Sequence, residues 1–258
     1  MKYPIYILSK GRHEKPLTAK CLMKYDQAFK IFVEPQDEKP YKDKFGSDSV
    51  HVISENNKGI AYVRNCIKDY SIEQGDTKHW QLDDNIKSFR RRENNKNVLA
   101  NPIEMLEEVE EHVDQYSNIG IAGLKHILFA WSANSNITNN VVCYSCVLVN
   151  NILPIRWCLE AVEDVDYSLQ VLKSGYCTLL FNRLVIEKLA TGQMKGGCAE
   201  IDYAGDNRLK RYVALQKKYP GRFEITEQYG RAKLKPSRIW KSFPQQPQKI
   251  KDELFSGE

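Results

Sequence analysis

No apolar run in this 258-residue chain approaches the ~18–20 residues that a helix needs to cross a bilayer. The longest candidate, Val141 to Val149, has nine residues, so a helical span is excluded and no membrane partner is expected. The start also lacks the ~7–15-residue apolar stretch and small-residue cleavage site of a secretory signal, and a cytoplasmic location is expected. A true glycine-rich phosphate loop is missing: the first strand is followed only by Ser9-Lys10-Gly11-Arg12. The seven cysteines are odd in number and scattered, which excludes a disulfide scaffold and fits reduced thiols. Cys143 and Cys146 form one C-x-x-C pair inside a strand-like run. Residues three apart on a strand face opposite sides, a poor chelate, so structural thiols are expected.

What is present is the mix of a soluble globular protein, 42% hydrophobic and 28% charged. The length allows one large domain with a sizeable core. The net charge of +5 is uneven. Residues 229–251 hold seven basic residues and no acid, and with the three acids beyond them residues 1–228 carry only +1. The expected organisation is a domain over residues 1–228 and an extended basic tail over 229–258, suited to a polyanionic partner or to a solvated end.

Strand patterns fall at Tyr3–Leu8, Lys30–Val33, Ser49–Ile53, His79–Leu82, Ile119–Leu124, Val141–Val149 and Tyr176–Phe181. Helical patterns fall at Pro16–Ala28, Gly59–Tyr70, Pro102–Tyr116, Leu159–Lys173 and Asn207–Tyr219. The early alternation of strand and helix predicts an α/β fold, with a mainly parallel central sheet covered by helices on both faces. In such sheets ligands bind beyond the carboxyl ends of the strands. Four clusters fall there: Ser9 to Arg12, Glu34, Asp83-Asp84-Asn85, and Glu163-Asp164 with Asp166.

Asp83-Asp84-Asn85 supplies hard oxygen ligands for Mg²⁺ or Mn²⁺ beside a diphosphate, or a simple strand-ending turn. Gly59 opens a helix whose exposed N–H groups suit anions, and Arg64 lies one turn further in. Glu163 and Asp164 suit either an acid–base role or the first turn of a helix, where the macrodipole favours carboxylates.

In this chain order the clusters resemble the GT-A glycosyltransferases. Gly59-Ile-Ala-x-x-Arg64-Asn65, Leu82-Asp83-Asp84-Asn85 and Lys195-Gly196-Gly197-Cys198 look most like the phage-type TET-associated glycosyltransferases. The resemblance covers about residues 3–215. It implies a single GT-A, Rossmann-like domain, a nucleotide-sugar donor (a UDP-sugar first) and, as acceptor, hydroxymethylated pyrimidines in DNA. For a bacteriophage protein it implies the host cytoplasm. It places Ser9, Arg12, Glu34 and Gly59 around the nucleotide, and Arg64 on the donor phosphate or against the aspartates. Asp83 and Asn85 become metal ligands with Asp84 between them, Asp164 the base of an inverting transfer with Glu163 beside it, and Lys195 to Gly197 a loop closing on the donor. Two departures matter. Asn85 stands where many relatives have aspartate, and no histidine follows His126 to act as a late metal ligand, which leaves Asp202 or Asp206 for that place.

Lys87, Arg90, Arg91 and Arg92 read as a basic loop that, with the tail, would hold a phosphate backbone. Trp240 and Phe243 are expected to pack on the body, with base stacking the alternative. Rival readings are a transferase for a saccharide or small metabolite, a nucleotidyltransferase, and a non-catalytic nucleic-acid-binding domain.

Overall fold

The computed structural model of the chain describes residues 1–132, 135–159, 162–189, 195–197, 207–228, 231–236 and 239–250. Strands β1 (Ile5–Leu8), β2 (Lys30–Val33), β3 (Val50–Val52) and β4 (Lys78–Asp83) alternate with helices α1 (Leu17–Met23), α2 (Glu38–Phe45) and α3 (Ile60–Glu73). A hairpin of β5 (Ile86–Glu93) and β6 (Lys96–Leu99) follows. Then come α4 (Pro102–Val113), β7 (Ile119–His126), β8 (Ile137–Asn139), β9 (Cys146–Asn150), α5 (Glu163–Lys173) and β10 (Cys177–Lys188). Helix α6 (Asn207–Lys218) leads into a second hairpin, β11 (Phe223–Gln228) and β12 (Arg231–Pro236).

The main sheet runs β3-β2-β1-β4-β9-β7-β10-β5-β6, with β8 beside β10. Strands β3, β2, β1, β4, β7 and β10 point the same way, and β9 is inserted in reverse between β4 and β7. This is the expected α/β architecture. Alternation along the strands explains its two covered faces. Ile5, Ile7, Trp80 and Leu82 pack with Leu22 of α1, Tyr41 of α2 and Leu106 of α4. Tyr6 and Phe32 point the other way, onto Ile67 of α3, and further along that face Ile121 and Val149 meet Tyr167 and Val171 of α5.

Several boundaries differ from the sequence pattern. Helix α1 stops at Met23 because the chain turns at Asp26, which adopts a left-handed φ of 50°. The strand expected from Val141 begins only at Cys146, after Ser145 at φ 68°. Cys143 and Cys146 are both buried, and burial pushes their thiols up, as expected of structural cysteines. Helix α5 starts at Glu163 rather than Leu159.

Two corrections concern the basic segments. Lys87, Arg90, Arg91 and Arg92 are not a loop but lie on β5. The hairpin closes through Asn94 and Asn95 at φ 46° and 61°, the left-handed pair that a tight two-residue turn requires. Their charges are largely met: Lys87 and Arg90 pair with Glu187, at 3.1 and 2.9 Å, and Arg91 with Glu108 at 2.6 Å. Nor is the whole tail extended, since residues 231–236 pair as β12 with β11. Trp240 and Phe243 pack against a cluster of Leu169, Leu215, Tyr219, Phe223 and Ile239. Beyond them the chain crosses the body as a strap. Gln245 donates to the Leu172 and Tyr176 carbonyls, and the backbone of Gln248 and Ile250 bonds to Ser117, Asn118 and Gln115. Arg238 and the charges from Lys251 onward lie outside the described residues.

Candidate functional site

Strands β1, β2, β4 and β10 end at one edge of the sheet, and reversed β9 begins there, with the Asp83 N–H on the Ser145 carbonyl at 2.8 Å. Behind this edge lies a cavity of about 670 Å³. Ser9, Arg12, Glu34, Arg64, Asp83, Asp84, Asn85, Glu163, Asp164 and Gly197 all line it, so residues from the four clusters do converge.

Asp83 and Asp84 are successive residues at a strand end, so they diverge. Asp84 turns toward α1 and α2. Its Oδ2 accepts from Ser9 Oγ at 2.6 Å, and its Oδ1 takes Arg12 Nη1 at 2.5 Å. Ser9 and Tyr41 share a further hydrogen bond of 2.6 Å, and the Arg12 N–H donates to the Tyr41 hydroxyl. Burial lifts the Asp84 carboxyl despite Arg12 and Ser9. Asp83 turns toward α3 and α5. Its Oδ1 meets Arg64 Nη2 at 3.2 Å and its Oδ2 meets Lys188 Nζ at 2.8 Å. Burial alone would raise this carboxyl, but the two cations overcome it and hold it at about 2.

Arg64 is 1% exposed. Gly59, at φ 86°, turns the chain into α3, and Arg64 follows on the buried face. Its guanidinium reaches Gln81 at 3.4 Å, Asp83, Asp164 at 3.5 Å and Glu163 at 3.6 Å. One cation thus faces three carboxylates from two elements. Burial raises the Glu163 and Asp164 carboxyls, and each is pushed up further by neighbouring carboxylates, with Arg64 opposing. Asp164 keeps an exposed edge toward the cavity, at 23%, against 9% for Glu163. Asp166 plays no part here: fully buried, it receives Lys218 and the Tyr219 hydroxyl and docks α6 onto α5.

The glycine loop comes down on the β1–α1 turn. Gly197 N–H donates to the Lys10 carbonyl, and Arg12 donates to the Lys195 and Gly196 carbonyls. Gly196 and Gly197 sit at φ 77° and 76°. A β-carbon at Gly196 would stand 2.7 Å from the Gly11 carbonyl oxygen, and one at Gly197 would overlap the Arg12 guanidinium. Only glycine allows this approach. Lys195 and Gly196 touch Arg12, and Gly59 sets the direction of α3; none of the three lines the cavity. Lys87, Arg90, Arg91 and Arg92 do not line it either. Glu34 is buried and receives Lys10 at 2.8 Å. Cys198, Asp202 and Asp206 lie outside the described residues.

Sequence patterns missed Lys188, Ser145, Tyr144 and Phe129, all in the cavity wall. Lys188 ends β10, seven residues past the expected end of that strand at Phe181. A lysine that follows Leu184-Val185-Ile186 and Glu187 at a strand's carboxyl end was the available signal.

A divalent ion, expected on Asp83 and Asn85, does not fit these donors. All four carboxylate oxygens of Asp83 and Asp84 already face Arg64, Lys188, Arg12 or Ser9. Asn85 offers one buried, unpartnered Oδ1, a single neutral oxygen, whereas Mg²⁺ and Mn²⁺ sites take one or two carboxylates. Among the described residues no group of three or more His, Cys, Asp or Glu is placed to hold a metal.

Fold and site together define an α/β protein with a charged ligand cavity at the carboxyl edge of its sheet. A model of the TET-associated glycosyltransferase family matches residues 3–197. The chain belongs to that family and is a glycosyltransferase. No curated protein sequence matches it. Among solved structures, a protein of STIV is 15% identical with a TM-score of 0.43, the match covering 74% of this chain and 86% of that one. A protein of Desulfovibrio desulfuricans described as a nucleotide-diphospho-sugar transferase is 8% identical at a TM-score of 0.40, covering 84% and 98%. A mannose-1-phosphate geranyltransferase of Thermus thermophilus is 9% identical at 0.35, covering 70% and 58%.

Proposed function

We propose that this glycosyltransferase moves a sugar from a nucleotide-sugar donor to a hydroxymethylated pyrimidine base in DNA, with inversion at the anomeric carbon. The observation that carries the reading is the arrangement around Arg64. Ser9, Arg12, Glu34, Asp83 and Asp84 line the cavity together with the cations Lys10 and Lys188, a mixed polar and charged lining that suits a nucleotide diphosphate. In the same cavity Asp164 presents a carboxylate raised toward neutrality by burial, with Arg64 holding its far side. A raised carboxylate is a better base near neutral pH than an ordinary one.

In the transfer, the acceptor hydroxyl attacks the anomeric carbon and passes its proton to Asp164. The bond from that carbon to the diphosphate oxygen breaks, and its electron pair leaves with the diphosphate, whose charge meets basic side chains in the wall. Glu163 is the deeper carboxyl, also raised by burial, and it faces the same Arg64 guanidinium that Asp164 does.

A base in the acceptor fits the aromatic side chains of the wall. Phe129, Tyr144 and Tyr212 line the cavity, and aromatic faces stack bases at about 1–3 kcal/mol each. A base inside a duplex must be extruded to reach them. Hydroxymethylated single-stranded and mismatched DNA are therefore expected to react at least as fast as perfect duplex. Rates on all three should fall with salt, because phosphate contacts release counterions. With Arg90 and Arg91 tied to Glu187 and Glu108, exposed Lys241 and Lys249 of the strap are expected to contribute more of that slope. Initial rates on the three substrates at two salt concentrations check this. Salt-insensitive rates, or transfer only to a saccharide or free nucleotide, would favour the small-acceptor transferase instead.

A further inference from the structure

The two carboxylates at the end of β4 are spoken for, yet the cavity they face must accommodate the leaving diphosphate of the donor if the reading above holds. Lys10, Arg12, Arg64, Lys188 and Arg211 line that cavity, and of these Lys188 is the one seated between the end of β4 and the start of β9. Its ammonium has three N–H donors. One goes to Asp83 Oδ2 at 2.8 Å and one to Ser145 Oγ at 2.8 Å, which leaves the third for a ligand in the cavity that Lys188 lines.

Two backbone irregularities produce this placement. The β10–β5 ladder shifts register between Glu187 and Lys188, where Glu187 faces Ser88 but Lys188 faces Ile86. Lys87 is the extra residue, and bulges of this kind re-aim side chains near sites. From the other side Ser145, a non-glycine residue at φ 68°, carries its hydroxyl to the same ammonium. Left-handed backbone at an ordinary residue is strained and gathers at functional sites. Burial works against the Lys188 charge, but Asp83 outweighs it and keeps the ammonium protonated.

We propose that Lys188, held between Asp83 and Ser145, is the cation that binds and neutralises the donor diphosphate, so that this transferase works without a divalent ion. In the step itself Lys188 neither gains nor loses a proton. The electron pair of the broken carbon–oxygen bond settles on the β-phosphate, which Lys188 faces, and the acceptor proton goes to Asp164. Asp83 is then a positioning residue, whose carboxylate aims Lys188 rather than a metal.

The inference rests on the nucleotide-sugar reading, and calorimetry with free nucleoside diphosphates (UDP, GDP, ADP, CDP and dTDP) separates the two. In wild-type protein at least one should bind in EDTA with a Kd within about twofold of its value in Mn²⁺. Lys188→Met should weaken that binding by about tenfold to a hundredfold, the scale of one charged hydrogen bond. Lys188→Arg should keep most of it. Binding that appears only with Mn²⁺ in the wild type, whatever the variants do, would overturn the role of Lys188 and leave the donor reading intact. If none of the five binds with or without metal, the donor reading falls and takes this inference with it.

Discussion

Arg64→Leu is expected to lower the stability of the protein by about 3–5 kcal/mol, the usual result of removing one partner from a buried charge cluster. At about 2–4 °C per kcal/mol for a chain of this size, the melting temperature should drop by roughly 6–20 °C. Three carboxylates lose their shared cation; Asp83 keeps its direct pair with Lys188, which also lies near enough to Asp164 to favour its charge. The loss should depend on pH in a definite sense. Glu163 and Asp164 have folded-state carboxyls raised above their unfolded values, so the folded state gains protons more readily and gains relative stability as pH falls through those raised values. Without Arg64 they rise further. The gap between wild type and variant should be widest at pH 8 and shrink toward pH 5, as protonation removes the uncompensated charge. Arg64→Lys should recover only part of the loss, because a single ammonium cannot reach three carboxylates as a planar guanidinium does. Thermal melts of the three proteins at the two pH values check this; an equal loss at both would mean that Arg64 acts by packing alone.

The largest catalytic effect should come from Asp164→Asn. The amide keeps the shape and removes the base, so turnover should fall by about 10²–10⁴ while donor affinity barely changes. Its pH profile is the sharper sign. A base must be ionised to act, so the wild-type turnover should rise with pH through the raised value of Asp164 and then level. That acid limb should vanish in the variant. Glu163→Gln is the control: the deeper carboxyl, raised by burial, is replaced by an uncharged group of the same size while Asp164 is kept, so activity should fall far less than in Asp164→Asn and the acid limb should remain. Wild-type turnover in Asp164→Asn would make Asp164 a first-turn residue of α5 and nothing more.

The parts of this site that could be read from sequence are those written in local pattern. β4 shows as an apolar strand that stops at Asp83-Asp84-Asn85, and α3 shows as a glycine followed by apolar residues with Arg64 among them. Their convergence followed from one rule, that strand ends share an edge. What could not be read depends on partners far along the chain. The sequence pattern ends β10 at Phe181 because Asn182 and Arg183 break the apolar run. The strand continues because Asn182 donates to Thr138 and the Ser135 carbonyl more than 40 residues away, and Lys188 was lost with it. The cations of β5 looked like a solvated loop because Glu187 and Glu108, which neutralise them, stand on β10 and α4. The same holds for the tail. Its prolines and glutamines suggest an extended end, and extended it is from Pro244, but its hydrogen bonds to Ser117, Asn118 and Leu172 are invisible without the fold.

The most direct measurement is mass spectrometry of the nucleosides released from hydroxymethylated DNA after incubation with the protein and a mixture of nucleotide sugars. The account predicts that hydroxymethylated nucleosides gain the mass of one sugar, that unmodified deoxycytidine and thymidine gain none, and that Asp164→Asn forms the product at least about a hundredfold more slowly. Unchanged hydroxymethylated nucleosides, with sugar found instead on a saccharide or on free nucleotide in the same mixture, would contradict it.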